Sequence, residues 1–211
     1  ATAILPEEEQ NKTERYNPGA RIKVYVVAVN MAARGPEIRV SRSHPDMVRK
    51  IFSLEIPEIA SGVVEIKGVA REAGARSKVA VWTADEDIDP IGSCIGQRGT
   101  RIQTIIAELG GEKIDVIAFH EDQPRYVANA LSPAKVISVE INEESKSALV
   151  KVATDQYSLS IGRGGQNVRL ASQLTGWQIV VEEQKTEVPA AVEEVPAEAP
   201  AEEKVTEESP K

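Results

Sequence analysis

Apolar and polar positions fall into helical and strand periods that recur twice in the same order. From Pro45, apolar residues at Met47, Val48, Ile51 and Phe52 follow the three-and-four spacing of one helix face. Proline suits a first helical turn. From Pro124, Tyr126, Val127, Ala130 and Leu131 repeat that spacing, and each segment then reaches a second proline, Pro57 or Pro133. Strand alternation follows in both. In the first unit Val64 and Ile66 alternate with Glu65 and Lys67, a turn falls at residues 73–75, and Val79 and Val81 alternate with Lys78 and Ala80. In the second, Ile137, Val139 and Ile141 alternate with Ser138 and Glu140. A polar turn over 142–146 then leads to Ala148, Val150 and Val152. Both pairs read as hairpins.

A short helix, a glycine loop and a longer helix come next. Asp89-Pro90 predicts the start of the first short helix, and Thr154-Asp155 the cap of the second. Ile102, Ile105, Ile106 and Leu109 form one helix face that stops at Gly110; Val168, Ala171 and Leu174 form another that stops at Gly176. A final strand closes each unit, over 114–119 and 177–181. Each unit thus reads helix-strand-strand-helix-helix-strand. Gly96 and Gly162 lie 66 residues apart, and Pro45 and Pro124 lie 79 apart. The first unit is therefore 13 residues longer, mostly around residues 54–62, and the pattern is an internal duplication.

Residues 1–43 differ from both units. After an acidic start and a turn at Asn17-Pro18-Gly19, Ile22, Val24 and Val26 alternate with polar residues; after Gly35-Pro36, Ile38 and Val40 do the same. Two or three strands cannot close a barrel, so this segment reads as the end of a β domain. Residues 184–211, rich in Pro, Ala, Val and Glu, carry no period and read as a disordered acidic tail.

Charge changes the picture only once it is located. The whole chain carries 33 acidic and 25 basic residues, but ten acidic and three basic ones lie in 182–211. The remainder holds 23 and 22, nearly neutral, which leaves room for a local basic face. One cysteine, Cys94, excludes an internal disulfide, and with only His44 and His120 it cannot build a Cys/His zinc site. No metal or other cofactor is expected. The cluster Asp85, Glu86, Asp87 and Asp89 reads as a solvated loop with a helix cap, and Trp82 and Trp177 as packing at strand ends. No run reaches membrane-spanning length, so membrane attachment is not expected.

The chemistry sits in the duplicated loops, Ile95-Gly96-Gln97-Arg98-Gly99 and Ile161-Gly162-Arg163-Gly164-Gly165. A G-x-x-G arises by chance about once in a chain with this many glycines, so the repeated context carries the reading. Glycines let a nucleic-acid backbone approach closely, and a helix N-terminus faces the phosphates. This is the loop of a KH module, which clamps about four nucleotides of single strand. Gln97, Arg98 and Arg163 are the expected phosphate contacts, extended by Arg101, Gln166, Asn167 and Arg169. Ile95 and Ile161 are either core residues or the apolar side of a base platform. No nucleoside-triphosphate loop of the G-x-x-x-x-G-K-[ST] kind occurs, nor a dinucleotide fingerprint. A binding protein, not an enzyme, is the reading.

The stretches PGARIKVYVVAV, SRSHPDMVRKIFSLEIPEI, GSCIGQRGTRI and LSIGRGGQNVRLASQLTGW span most of residues 15–182 and resemble the NusA family of bacterial transcription termination/antitermination factors. The resemblance implies an α+β fold of tandem type II KH modules at 44–120 and 121–183. Residues 1–43 would be the last strands of an S-one-type OB barrel, whose beginning is missing here. It also implies a cytoplasmic, monomeric regulator that binds single-stranded nascent RNA and modulates polymerase pausing, termination and antitermination. RNA polymerase, contacted through a domain absent from this chain, and other elongation factors are the implied partners. Two alternatives stay open: an accessory region of an RNA-processing enzyme such as a polynucleotide phosphorylase, and a ribosome-associated KH protein. The short junction near His120 predicts two modules packed against each other, and the acidic tail is expected to compete with RNA for the loops.

Overall fold

The structure is a computed structural model that describes residues 2–33 and 35–184. Its first sheet has the order β1-β3-β2. It consists of β1 (Ala3–Ile4), parallel to β3 (Gly35–Ser41), and β2 (Tyr25–Ala32), antiparallel to β3. Ile22 and Val24, expected within a strand, precede β2. Pairing begins at Tyr25 opposite Ser41, and beyond Ser41 the chain leaves for a helix, so residues 22–24 have no strand to pair with. Instead the Ser41 hydroxyl accepts from the backbone N–H of His44, 2.8 Å.

The two repeats have the expected element order. The first comprises α1 (Pro45–Glu55), α2 (Pro57–Ala60), β4 (Glu65–Glu72), β5 (Arg76–Trp82), α3 (Pro90–Ile95), α4 (Thr100–Glu108) and β6 (Lys113–Ala118). The second comprises α5 (Gln123–Ala130), β7 (Val136–Asn142), β8 (Ser147–Ala153), α6 (Thr154–Ile161), α7 (Gln166–Thr175) and β9 (Gln178–Gln184). The extra residues of the first repeat fold as α2. Each sheet pairs its hairpin antiparallel and its last strand parallel, in the orders β4-β5-β6 and β7-β8-β9. The periodic residues do form the cores: Met47, Val48, Ile51 and Phe52 pack with Val79, Val81, Ile102, Ile105 and Leu109. In the second repeat Val127, Ala130 and Leu131 pack with Ala148, Val150, Val152 and Ala171.

Four local expectations are corrected. Lys78 and Ala80 are fully buried, although alternation places them on the outer side of β5. That outer side is covered by the second repeat, whose α7 lies on β4 and β5 and whose α5 lies on β6. Ile137 is 51% exposed. A bulge between Val136 and Ser138 inserts a residue, so Val136, Val139 and Ile141 face the core instead. Thr154 and Asp155 do not cap α6: β8 runs straight into the helix, Ala153 holds the cap position, and no side chain bonds there. Gln184, placed at the start of the tail, is the last residue of β9. The rest of the expected tail, 185–211, lies outside the described residues.

The contact between repeats is made for close approach. Gly68, Ala70 and Ala80 form a row of small residues on the outer side of β4 and β5. A Cβ built on Gly68 would sit 3.1 Å from Leu174 Cδ1 and 3.4 Å from the Tyr126 hydroxyl. Beside this row, Lys78 Nζ donates to Ser132 O of the second repeat (2.8 Å) and to Asp115 Oδ2 (3.2 Å). Tyr126 packs edge-on against Phe119 with ring centroids 5.0 Å apart, and Asn129 Nδ2 donates to Ala118 O, 3.0 Å.

Polar anchors hold the first repeat to the segment before it. Arg42, buried, donates to Glu14, to Lys23 O (2.7 Å) and to Glu108 O at the end of α4 (3.0 Å). A cation suits the negative end of that helix. Burial raises the Glu14 carboxyl, but Arg42 outweighs it, and the group ends below the usual range. Nearby Glu112, fully buried, accepts from Arg71, from the Ser77 hydroxyl (2.5 Å) and from Gly74 N (2.8 Å). Arg71 also donates to His44 O, 2.8 Å.

Candidate nucleic-acid interface

The two glycine loops have the same backbone. Asp89 caps α3 by accepting from Ile91 N (3.0 Å), and the helix ends where Gly96 turns to φ 73, ψ 173. Gly162 ends α6 at φ 74, ψ 172. Only glycine reaches that region readily. A tight turn follows in each, with Arg98 at φ 53 and Gly164 at φ 59, and Gly99 (φ 78) and Gly165 (φ 73) lead into α4 and α7. Each turn closes with the same bond: Gly99 N donates to Gly96 O, and Gly165 N to Gly162 O, both 3.1 Å.

Sequence reasoning placed fourteen residues at these loops, and the structure sorts them. Gln97, Arg98, Arg163 and Gly164 are exposed at the tips. Ile95 is 37% exposed at the end of α3, and Ile161 is half-buried at the end of α6. Arg101 is drawn inward: its Nη1 donates to both carboxylate oxygens of Glu58 (3.0 and 2.9 Å) and to Ser93 O (2.7 Å). The Glu58 carboxyl is held below its usual range by its own backbone N–H and by Arg101, against burial. Asn167 is 2% exposed, and its Nδ2 donates to Leu131 O, Leu159 O and Ser160 O. Its Oδ1 has no partner among the described residues. Gln166 and Arg169 both bond Glu72 of the first repeat.

Arg101 and Asn167 occupy one position, five residues after the first glycine of each loop. Both donate to the carbonyl three residues before that glycine, Ser93 O and Leu159 O. Both crowd the glycine: a Cβ on Gly96 would lie 2.7 Å from Arg101 Cγ, and one on Gly162 would lie 2.8 Å from Asn167 Cβ. This position therefore locks the loop to the preceding helix by filling a free carbonyl at its end. Sequence reasoning treated both residues as RNA contacts. Aligning the loops by glycine would have paired them, but the dissimilar side chains hid the shared role.

Electrostatics at the loops follow from this sorting. Arg98 and Arg163 make no side-chain hydrogen bond or ion pair among those found in the described residues, whereas Arg101 and Arg169 are committed to carboxylates. Cys94 is fully buried on α3, and burial pushes its thiol up to about 12, so it is no nucleophile at neutral pH. The acidic group near α3 is internally explained: Asp89 caps the helix, and Asp85 Oδ1 accepts from Asp87 N, 3.0 Å. Trp82 lies under Lys67 Nζ (4.3 Å), and Trp177 Nε1 donates to Gln123 Oε1, 3.0 Å.

Residues 42–119 match the NusA-like first KH domain and residues 123–189 the NusA-like second KH domain, in that order. The chain belongs to the NusA family. It is 55% identical over 181 residues to the transcription termination/antitermination protein NusA of Thermus thermophilus, covering 86% of this chain and 47% of that protein. The NusA of Bacillus subtilis is 53% identical over 177 residues, covering 84% and 48%. That of Mycobacterium tuberculosis is 52% identical over 177 residues, covering 83% and 51%. The chain thus spans about half the length of these curated NusA relatives.

Proposed function

We propose that the chain binds single-stranded nascent RNA through its two glycine loops, as part of a factor that modulates RNA polymerase pausing, termination and antitermination. The observation that carries this reading is the pair of loops with matching backbone, each presenting an uncommitted arginine beside a helix N-terminus. Arg98 and Arg163 pair with phosphates, and the turns at Gly96 and Gly162 bring the RNA backbone close. The termination and antitermination roles rest on the names of the NusA relatives. Association with RNA polymerase and other elongation factors, and a place in the cytoplasm, belong to the same proposal. Among the described residues no helix is long and apolar enough to cross a membrane.

Fluorescence anisotropy with a short single-stranded RNA tests the loops. The quadruple variant Gln97→Asp, Arg98→Asp, Arg163→Asp, Gly164→Asp should lose binding while keeping its circular dichroism. Its salt slope should fall by about 0.7 for each lost phosphate contact. Unchanged binding would move the RNA site off the loops.

A further inference from the structure

The second loop is held by a residue of the first repeat. Glu72 ends β4 and is separated from α7 by more than ninety residues of chain. Its Oε1 accepts from Arg169 Nε at 2.6 Å, and its Oε2 accepts from Gln166 Nε2 at 2.8 Å. Arg169 Nη1 in turn donates to Gly164 O, inside the second glycine turn, at 3.2 Å. Arg169 therefore bridges a carboxylate of one repeat and a loop carbonyl of the other. Those two bonds commit Nε–H and one Nη1–H, which leaves three guanidinium donors for a ligand.

Glu72 is itself well anchored. It lies next to Arg71, whose guanidinium is buried against Glu112, and its own carbonyl accepts from Ala75 N at 2.9 Å. The bonds from Arg169 and then Gln166 hold its carboxyl below the usual range, against the opposing effect of burial, so it is charged at neutral pH. Among the described residues, the first loop has no such outside support. Arg101 is satisfied within its own repeat, by Glu58 and Ser93 O, and the position matching Arg169 is the exposed Gln103.

We infer that Glu72 is a positioning residue for the second RNA clamp. It fixes Arg169 and Gln166 so that Arg169 holds the Gly164 turn and presents its remaining donors to a phosphate. The second loop then takes its binding geometry from the first repeat, while the first loop is self-contained. This inference rests on the RNA reading above, and its test is arranged to separate the two.

Glu72→Ala is placed in two full-chain backgrounds. One has the first loop disabled (Gln97→Asp, Arg98→Asp), the other the second loop (Arg163→Asp, Gly164→Asp). RNA anisotropy should show binding weakened about three- to tenfold in the first background, the effect of one hydrogen bond's worth of lost positioning, and unchanged in the second. Glu72→Gln, which keeps one acceptor for Arg169, should recover part of the loss. Without RNA, the amide resonances of Gly164 and Gly165 should shift in Glu72→Ala while those of Gly96 and Gly99 stay. Tighter binding would overturn the inference, because Glu72 would then only compete with phosphate for Arg169. Equal loss in both backgrounds, or none in either, would overturn it as well. If the parent chain binds no RNA, the RNA reading fails, and the amide shifts alone decide whether Glu72 sets the loop.

Discussion

At the scale of single residues, the second loop shows why its glycines are not interchangeable. Gly162 combines φ 74, ψ 172 with a neighbour that leaves no room: Asn167 N, a backbone atom, would lie 2.9 Å from an added Cβ. Gly164 has φ 59 but nothing within 4 Å. Gly162→Ala should therefore cost about 2–4 kcal/mol in urea unfolding, combining backbone strain with a clash, whereas Gly164→Asn should cost no more than about 1 kcal/mol. The first loop already carries out the second experiment. Arg98 occupies the matching position at φ 53, accepting left-handed strain to place a guanidinium at the loop tip.

At the scale of elements, the turn between β4 and β5 depends on a buried charge. Glu112 is fully buried and satisfies Arg71, Ser77 and the Gly74 amide together. Glu112→Ala should destabilise the chain by about 3–5 kcal/mol in denaturant unfolding, because it strands a buried guanidinium. A loss below about 1 kcal/mol would mean that water reaches Arg71. Helices and hairpins were legible in the sequence because each is set by its own periodicity, as Met47 to Phe52 and Ala148 to Val152 show. What periodicity does not record is a partner arriving on the far side of a sheet, which is why Lys78 read as exposed. Nor does it record a bulge, which is why Ile137 read as core. The loops themselves were legible from glycine spacing repeated in the same duplicated context. Glu72 was not, since its bond to Arg169 joins residues 97 apart and leaves no local pattern.

At the scale of the whole molecule, the contact between repeats contains a phenol that reports on it. Tyr126 is buried, its hydroxyl donates to Leu174 O at 3.3 Å, and burial pushes its pKa up to about 12, against about 10 for a free phenol. The folded state thus favours the protonated form. That stabilisation is complete below pH 10 and is lost as pH rises from about 10 to about 12, where the unfolded chain gives up its proton first. Urea midpoints taken at pH 9 and pH 11 should fall, and Tyr126→Phe should remove part of the fall. An identical decline in the variant would show that other groups cause it.

The two sheets resemble each other in topology but not on their outer sides. Where the first carries Ala70 and Ala80, the second carries Glu140 and Lys151, joined by an ion pair at 2.6 Å. Side chains of that size and charge keep a helix from settling as α7 settles on the first sheet. The first sheet is a socket filled by α5 and α7, and the second sheet presents a charged pair at the matching place. On the proposed reading, a pair closed in this way works as a ruler, holding its two RNA clamps at one set spacing.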